Sequence, residues 1–192
     1  MRGVVFYGGS IDSAIQALKY EGLKQLAAPL ASYLTGYLEN HPIAFDALVP
    51  VPLHPDRLTT RGYNQSDLLA EYVGKARNIP VRTDLIIRTR DTKPQVHLKR
   101  NERLENVYQA FEPAQAAHLD GETILLIDDV CTTGATLIAC AEALHRSGAG
   151  EVWALTVARA RPPIDPEPWQ EGLDPAELFI AWDEDRNKSV GA

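Results

Sequence analysis

Two adjacent carboxylates, Asp128 and Asp129, are followed after Val130 and Cys131 by a hydroxyl-rich turn, Thr132-Thr133-Gly134-Ala135-Thr136. Carboxylates accept hydrogen bonds, whereas hydroxyls and backbone amides donate them. Placed side by side, the two sets suit a ligand that is a polyol at one end and a phosphate at the other. The residues before them, Thr123-Ile124-Leu125-Leu126-Ile127, form a continuous apolar run. Such a run without alternation predicts a strand buried on both faces, as in a parallel sheet. The acids then sit at its carboxyl end, where open α/β sheets bind their ligands. After Thr136 an apolar helical pattern follows, with Leu137, Ile138, Cys140, Ala141 and Leu144. The free N–H groups and positive dipole end of that helix favour a phosphate. Acids, turn and helix start together describe a pocket for a sugar phosphate.

The remaining elements must hold this pocket. Met1 to Tyr7 is short and apolar and is broken by Gly8-Gly9, after which Ser10 is an N-cap candidate for a helix with Ile11, Ile15 and Leu18 on one face. A second helical pattern carries Leu23, Leu26, Leu30, Leu34 and Leu38, with Pro29 placed to kink it. Ala47 to Pro52 reads as a buried strand. It delivers the chain into a polar stretch, LHPDRLTTRGYNQ, and then a helix with Leu68, Leu69, Tyr72, Val73 and Ala76 inward. Val81 to Ile87 reads as another strand, and Val107 to Phe111 as a return strand. Between them runs RTRDTKPQVHLKRNERLENV, a long charged stretch without periodicity, the kind of segment that is functional or disordered. Ala114 to Gly121 links to the central strand. Ser147-Gly148 stops the helix after Thr136, and Val152 to Ala158 closes a β-α-β unit. Cys131 falls within the turn and reads as a small packing residue. His54, His97 and His145 read as structural or surface groups.

The apolar run, two acids and T-T-G-x-T turn resemble the phosphoribosyl pyrophosphate (PRPP) signature of type I phosphoribosyltransferases. Within them, IQALKYEG, VPVPLHPDRLTTRGYNQS, the K-P-Q and R-x-x-N elements of the charged stretch, and IDDVCTTGAT resemble the ComF-type family linked to competence and DNA uptake. The resemblance implies an α/β type I phosphoribosyltransferase fold, a mostly parallel sheet flanked by helices, with a small hood and a mobile loop. Residues 1–160 would form this domain, with 11–40 as its N-terminal helical or hood part, and 161–192 an acidic, proline-rich tail. By the same resemblance, Asp128 and Asp129 would serve the ribose hydroxyls, and Thr132, Thr133, Gly134, Ala135 and Thr136 the 5′-phosphate. Arg57, Arg61 and Gly62 would serve the pyrophosphate, since guanidinium groups grip phosphate oxygens bidentately; two solvated surface arginines are the alternative. Lys93 and Arg103, with Gln95, Lys99 and Arg100, would reach the departing pyrophosphate from the closing loop; the alternative is a solvated basic loop or a polyanion patch. Asp128, Asp129, Lys93 and Arg103 are therefore the catalytic candidates. Mg²⁺ would be held mainly through PRPP, and the acceptor would be nitrogenous. A non-catalytic accessory protein acting through single-stranded DNA or a competence helicase is the alternative function. Homodimers are common among such enzymes. Family members often open with a four-cysteine zinc ribbon, whereas this sequence contains two cysteines, Cys131 and Cys140, and no C-x-x-C.

Composition sets the outer limits. The chain has 192 residues and a net charge of −7, with 19 basic and 26 acidic side chains. That charge disfavours general nucleic-acid binding. The distribution is uneven, because residues 82–103 carry seven basic and three acidic side chains and residues 161–192 carry three and eight. Two cysteines do not make a disulfide scaffold. With no charged-then-apolar leader and no long apolar run, the expectation is a cytoplasmic protein.

Overall fold

The computed structural model describes residues 1–90 and 110–160. Its centre is a four-stranded sheet of β1 (Arg2–Phe6), β2 (Ala47–Pro50), β5 (Ile124–Cys131) and β6 (Val152–Arg159), ordered β1-β6-β5-β2 with every pair parallel. The helices are α1 (Gly9–Tyr20), α2 (Ala27–Asn40), α3 (Pro55–Arg61), α4 (Gln65–Arg77) and α5 (Ala135–Arg146), with a 3₁₀ turn at Lys24–Leu26. A separate antiparallel hairpin pairs β3 (Ile86–Arg88) with β4 (Phe111–Pro113).

The unalternating strands explain the layers. In β5, Leu125 and Ile127 join Leu155 and Val157 of β6 in one core, covered by α1, α2 and α4. Ile124 and Leu126 face a second core built with α5 and the hairpin. Central strands with two apolar faces need helices on both sides, and this chain supplies them. The helices read above as the N-terminal helical or hood part, α1 and α2, share the first core with α4. Joined by α5, β5 and β6 are parallel neighbours, as the β-α-β pattern requires.

Several local expectations are corrected. The cap of α1 is Gly8, and Ser10 lies inside the helix. Pro29 is the third residue of α2, in the first turn, where its missing N–H leaves no bond unmade. In α4 the inward residues are Ser66, Leu69, Ala70, Val73 and Gly74; Leu68 is half-buried, and Tyr72 and Ala76 are exposed. The stretch from Val81 to Ile87 is not one strand. Val81 makes a single bridge to Leu48, a turn follows in which Arg82 Nε lies 2.8 Å from Asp84 Oδ1, and β3 begins at Ile86. Apolar content alone did not reveal that break. The return strand starts at Phe111, and Val107 lies outside the described residues.

Helix α4 lies very close to the chain that follows it. A Cβ at Gly74 would stand 2.7 Å from Val81 Cγ2 and 2.9 Å from the Ile79 carbonyl oxygen. Gly74→Ala is therefore expected to lower stability by about 1–3 kcal/mol, despite alanine's better helix propensity. A reduced urea midpoint with an unchanged denaturant slope would show it.

Candidate functional site

The acids lie inside β5, not beyond its end. The ladder with β6 runs on from Asp128↔Thr156 to Cys131↔Arg159, and the Ala160 N–H donates to the Cys131 carbonyl at 2.9 Å. A neighbouring strand of equal length holds the backbone extended past the apolar run, which composition of β5 alone does not reveal. Cys131 is thus the last strand residue, buried against Met1, its sulfur 3.5 Å from the Met1 thioether.

Both carboxylates are buried, Asp128 being 9% exposed and Asp129 2%. Lys19, near the end of α1, places Nζ 2.8 Å from Asp129 Oδ1. Asp129 Oδ2 is buried with no hydrogen-bond partner among the described residues. Asp128 Oδ1 accepts from the Ser66 hydroxyl at 2.8 Å and from the Asp129 N–H at 2.9 Å. Among the described residues, the Lys19 ammonium thus contacts Asp129 and acts on Asp128 through its charge. Burial pushes Asp128 up to about 7, and the neighbouring Asp129 charge adds to this, while Lys19, Ser66 and the Asp129 amide oppose it. Burial works against the Lys19 charge, but Asp129 and Asp128 outweigh it, so its pKa is raised.

The turn after β5 is shorter than expected: it spans Thr132–Gly134, and Ala135 and Thr136 are already the first two residues of α5. Thr132 and Thr133 are exposed and Thr136 is half-buried. Gly134 caps α5 with φ of 80°, a conformation that residues with a Cβ adopt only with strain. The Thr133 hydroxyl accepts from the Ala135 N–H at 3.4 Å, and the first helical bond runs from the Ile138 N–H to the Gly134 carbonyl at 2.9 Å.

The arginines stand on α3, a short helix where a polar loop was expected. Pro55 occupies its first turn, and His54 Nδ1 caps it by accepting from the Asp56 N–H at 3.3 Å. The hydroxyls of Thr59 and Thr60 bond back to the carbonyls of Pro55 and Asp56. With no apolar stripe, this helix left no periodic signal. Gly62, at φ of 77°, ends it. Because β2 and β5 are parallel neighbours, with Pro50 opposite Ile127, α3 and the turn leave the same edge of the sheet. Arg57 is half-buried. Arg61 donates to Gln65 Oε1 and lies over the Tyr20 ring, 5.4 Å from its centroid.

The R-G-Y-N-Q-S element ties these parts together. Tyr63 donates its hydroxyl to the Leu18 carbonyl of α1, and Lys24 lies 4.6 Å above its ring. Asn64 caps α4 by accepting from the Ser66 N–H at 3.1 Å, and its amide donates to the Val51 carbonyl at 3.0 Å. Ser66 then reaches Asp128. Lys19, Tyr63, Asn64 and Ser66 are site residues that sequence reasoning missed. One signal for Lys19 was present: it continues the four-residue spacing of Ile11 and Ile15 and so belongs to the inward stripe of α1. Lys93 and Arg103, with Gln95, Lys99 and Arg100, lie outside the described residues. Among the described residues, no three His, Cys, Asp or Glu side chains gather in a form that could hold a metal ion. No helix among them is long and apolar enough to cross a membrane.

The shift at Asp128 has a consequence for stability. A carboxyl whose folded pKa lies above its unfolded value binds more protons when folded, so stability falls as pH rises through the interval between them. Asp128→Asn removes this penalty and leaves Lys19 paired with Asp129 alone. The variant is expected to be more stable than the unaltered chain at about pH 8, on the order of a few kcal/mol, with the gap narrowing toward about pH 4. Denaturation midpoints across that range measure it.

A family profile described as the phosphoribosyl transferase domain matches residues 60–175. Competence protein F of Haemophilus influenzae is 34% identical over 116 residues, covering 60% of this chain and 51% of that protein. The DNA utilization protein YhgH of Salmonella typhimurium is 37% identical over 162 residues, covering 78% of this chain and 68% of that protein. Competence protein ComFC of Bacillus subtilis is 30% identical over 161 residues, covering 83% and 64%. The chain thus spans about half the length of some of these relatives, such as the Haemophilus protein at 51%, and about two thirds of others. Among solved structures, the glutamine PRPP amidotransferase of Bacillus subtilis superposes with a TM-score of 0.45 at 18% identity, covering 75% of this chain and 28% of that one. With a parallel sheet flanked by helices, a matching family profile and these relatives, this chain belongs to the phosphoribosyl transferase domain family as a ComF-type member.

Proposed function

We propose that the chain binds PRPP with Mg²⁺ and transfers its phosphoribosyl group to a nitrogenous acceptor, releasing pyrophosphate. One observation carries this reading: two buried carboxylates sit on β5 directly before a threonine-glycine turn that opens a helix N-terminus. In this reading Asp128 and Asp129 accept from the ribose hydroxyls. Thr132, Thr133 and Thr136 donate hydroxyls to the 5′-phosphate, together with the amides around Gly134 and Ala135. Arg57 and Arg61, with the close approach that Gly62 allows, hold the pyrophosphate; Lys93 and Arg103 complete its charge neutralisation as it leaves. The bond from the acceptor nitrogen to C1 forms as the C1–oxygen bond to pyrophosphate breaks, and the bond electrons depart with that oxygen. The acceptor's proton passes to a base, for which one of the two aspartates is the candidate. The protein's contribution is orientation and charge stabilisation.

The donor set fits Mg²⁺ as a passenger of the ligand. Carboxylate oxygens are the hard donors this ion prefers, but Asp129 is engaged by Lys19, so most of the coordination sphere falls to phosphate oxygens and water. When bound, the ion neutralises the diphosphate. Residues 1–160 act in this reading as the transferase-like unit, with 161–192 as an acidic tail; the family match itself runs on to residue 175.

A second reading comes from the relatives' names, which speak of competence and DNA utilization. In it the fold is retained without turnover, and the chain works through a helicase-like partner or single-stranded DNA. Salt-sensitive binding to single-stranded DNA without pyrophosphate release would favour it.

Calorimetry of PRPP with Mg²⁺ tests the first reading. The unaltered chain is expected to bind, and Asp128→Asn/Asp129→Asn to lose at least about a hundredfold in affinity, because the ribose hydroxyls lose their charged acceptors. No binding by the unaltered, folded chain overturns the transferase reading. Where binding is found, pyrophosphate release during a screen of nitrogenous acceptors reports turnover.

A further inference from the structure

The segment IQALKYEG has no function attached to it by residue type, yet among the described residues it delivers the ammonium that contacts Asp129. Lys19 is half-buried, with a side chain 21% exposed, against an Asp129 side chain that is 3% exposed. Its helix does not float over the site. Tyr63 bonds the Leu18 carbonyl, and Arg61 covers the ring of Tyr20, so the residues on either side of Lys19 are both tied to the start of α4. The same start of α4 supplies Ser66 to Asp128. Lysine and serine are thus set by one brace, each aimed at a different member of the pair. This is more construction than a chance surface ion pair shows.

We propose that Lys19 is a positioning residue of the aspartate site: it pins Asp129 and supplies the positive charge that keeps Asp128 able to ionise and accept from a ligand hydroxyl. The role toward PRPP rests on the function proposed above; the charge division within the pair does not. The groups facing Asp128 define what else bears on it. From α1 this is Lys19, from α4 the Ser66 hydroxyl, and from β5 Asp129 and Cys131. From α5 comes Cys140, and β6 places Thr156 opposite. Lys19 is the only cation among these named groups. Burial pushes both thiols up first and Asp128 adds to that, outweighing Arg159 at Cys131 and Arg88 at Cys140, so they are neutral near pH 7 and do not substitute for Lys19.

Lys19→Met keeps much of the stem that packs on the core and deletes the charge; Lys19→Arg keeps the charge. The first measurement is made without ligand, by carbon-13 NMR titration of the Asp128 carboxyl, assigned with Asp128→Asn. Removing the charge is expected to raise the Asp128 midpoint by about one unit or more, a tenfold change in its ionisation equilibrium, and the arginine variant to restore it. The second is PRPP–Mg²⁺ affinity. Lys19→Met is expected to bind roughly five- to tenfold more weakly at about pH 7, the gap closing toward about pH 9 as Asp128 ionises again. A merely structural lysine would give a loss that alkali does not recover. An unmoved Asp128 titration in a folded Lys19→Met overturns the charge division. A moved titration with PRPP affinity unchanged at every pH overturns the role toward the ligand. Absence of PRPP binding by the unaltered chain overturns the function itself and, with it, the role toward that ligand, while the titration still decides the charge division.

Discussion

Two carboxylates held out of water, with the Lys19 ammonium against one of them, set the terms for this fold. Removing an ion from water costs several kcal/mol even after relaxation, and one close counter-charge offsets it for one acid. Asp129 takes that counter-charge, at 2.8 Å from Lys19, and Asp128 receives a hydroxyl and an amide instead. The arrangement survives because the apolar layers around β5 supply the stabilisation it lacks. Each buried Leu or Ile side chain contributes about 1.5–3 kcal/mol, and β5 alone buries Ile124, Leu125, Leu126 and Ile127 completely.

The brace at Tyr63, Asn64 and Ser66 turns this local problem into a property of the whole domain. Asn64 links the end of β2 to the start of α4, Tyr63 links α4 to α1, and Ser66 links α4 to β5. Three elements distant in sequence therefore converge within hydrogen-bond reach of one strand end. Arg61 belongs to the same brace through Gln65 and Tyr20. A residue proposed to hold pyrophosphate is also a tie between helices, so a ligand that pulled on Arg61 would be felt by α1.

Much of this was legible in the sequence, for identifiable reasons. The unbroken apolar runs of β2, β5 and β6 announced a parallel sheet, and the acids and threonine turn marked its ligand edge. The leucine spacing of α2 showed its buried face. What escaped notice was what depends on partners. The extension of β5 through Cys131 is imposed by β6. Helix α3 is held by a proline, a histidine cap and threonine hydroxyls rather than by an apolar stripe. Tyr72 and Ala76 fit the helical period but fall outside the arc that α2 and the sheet cover. Lys19 meets Asp129 from the far end of the sequence, and only the fold brings an ammonium to that acid.

The position of β5 carries one more consequence. It is an interior strand, bonded to β2 on one side and β6 on the other. A backbone bonded on both sides resists displacement, so Asp128 and Asp129 act as a fixed anvil. Lys19 and Ser66, by contrast, arrive from helices whose ends can shift without breaking a ladder. Accommodation of different ligands at this site is therefore a matter of helix adjustment around stationary acids, and divergence among relatives should accumulate in the helical faces before it reaches the strand.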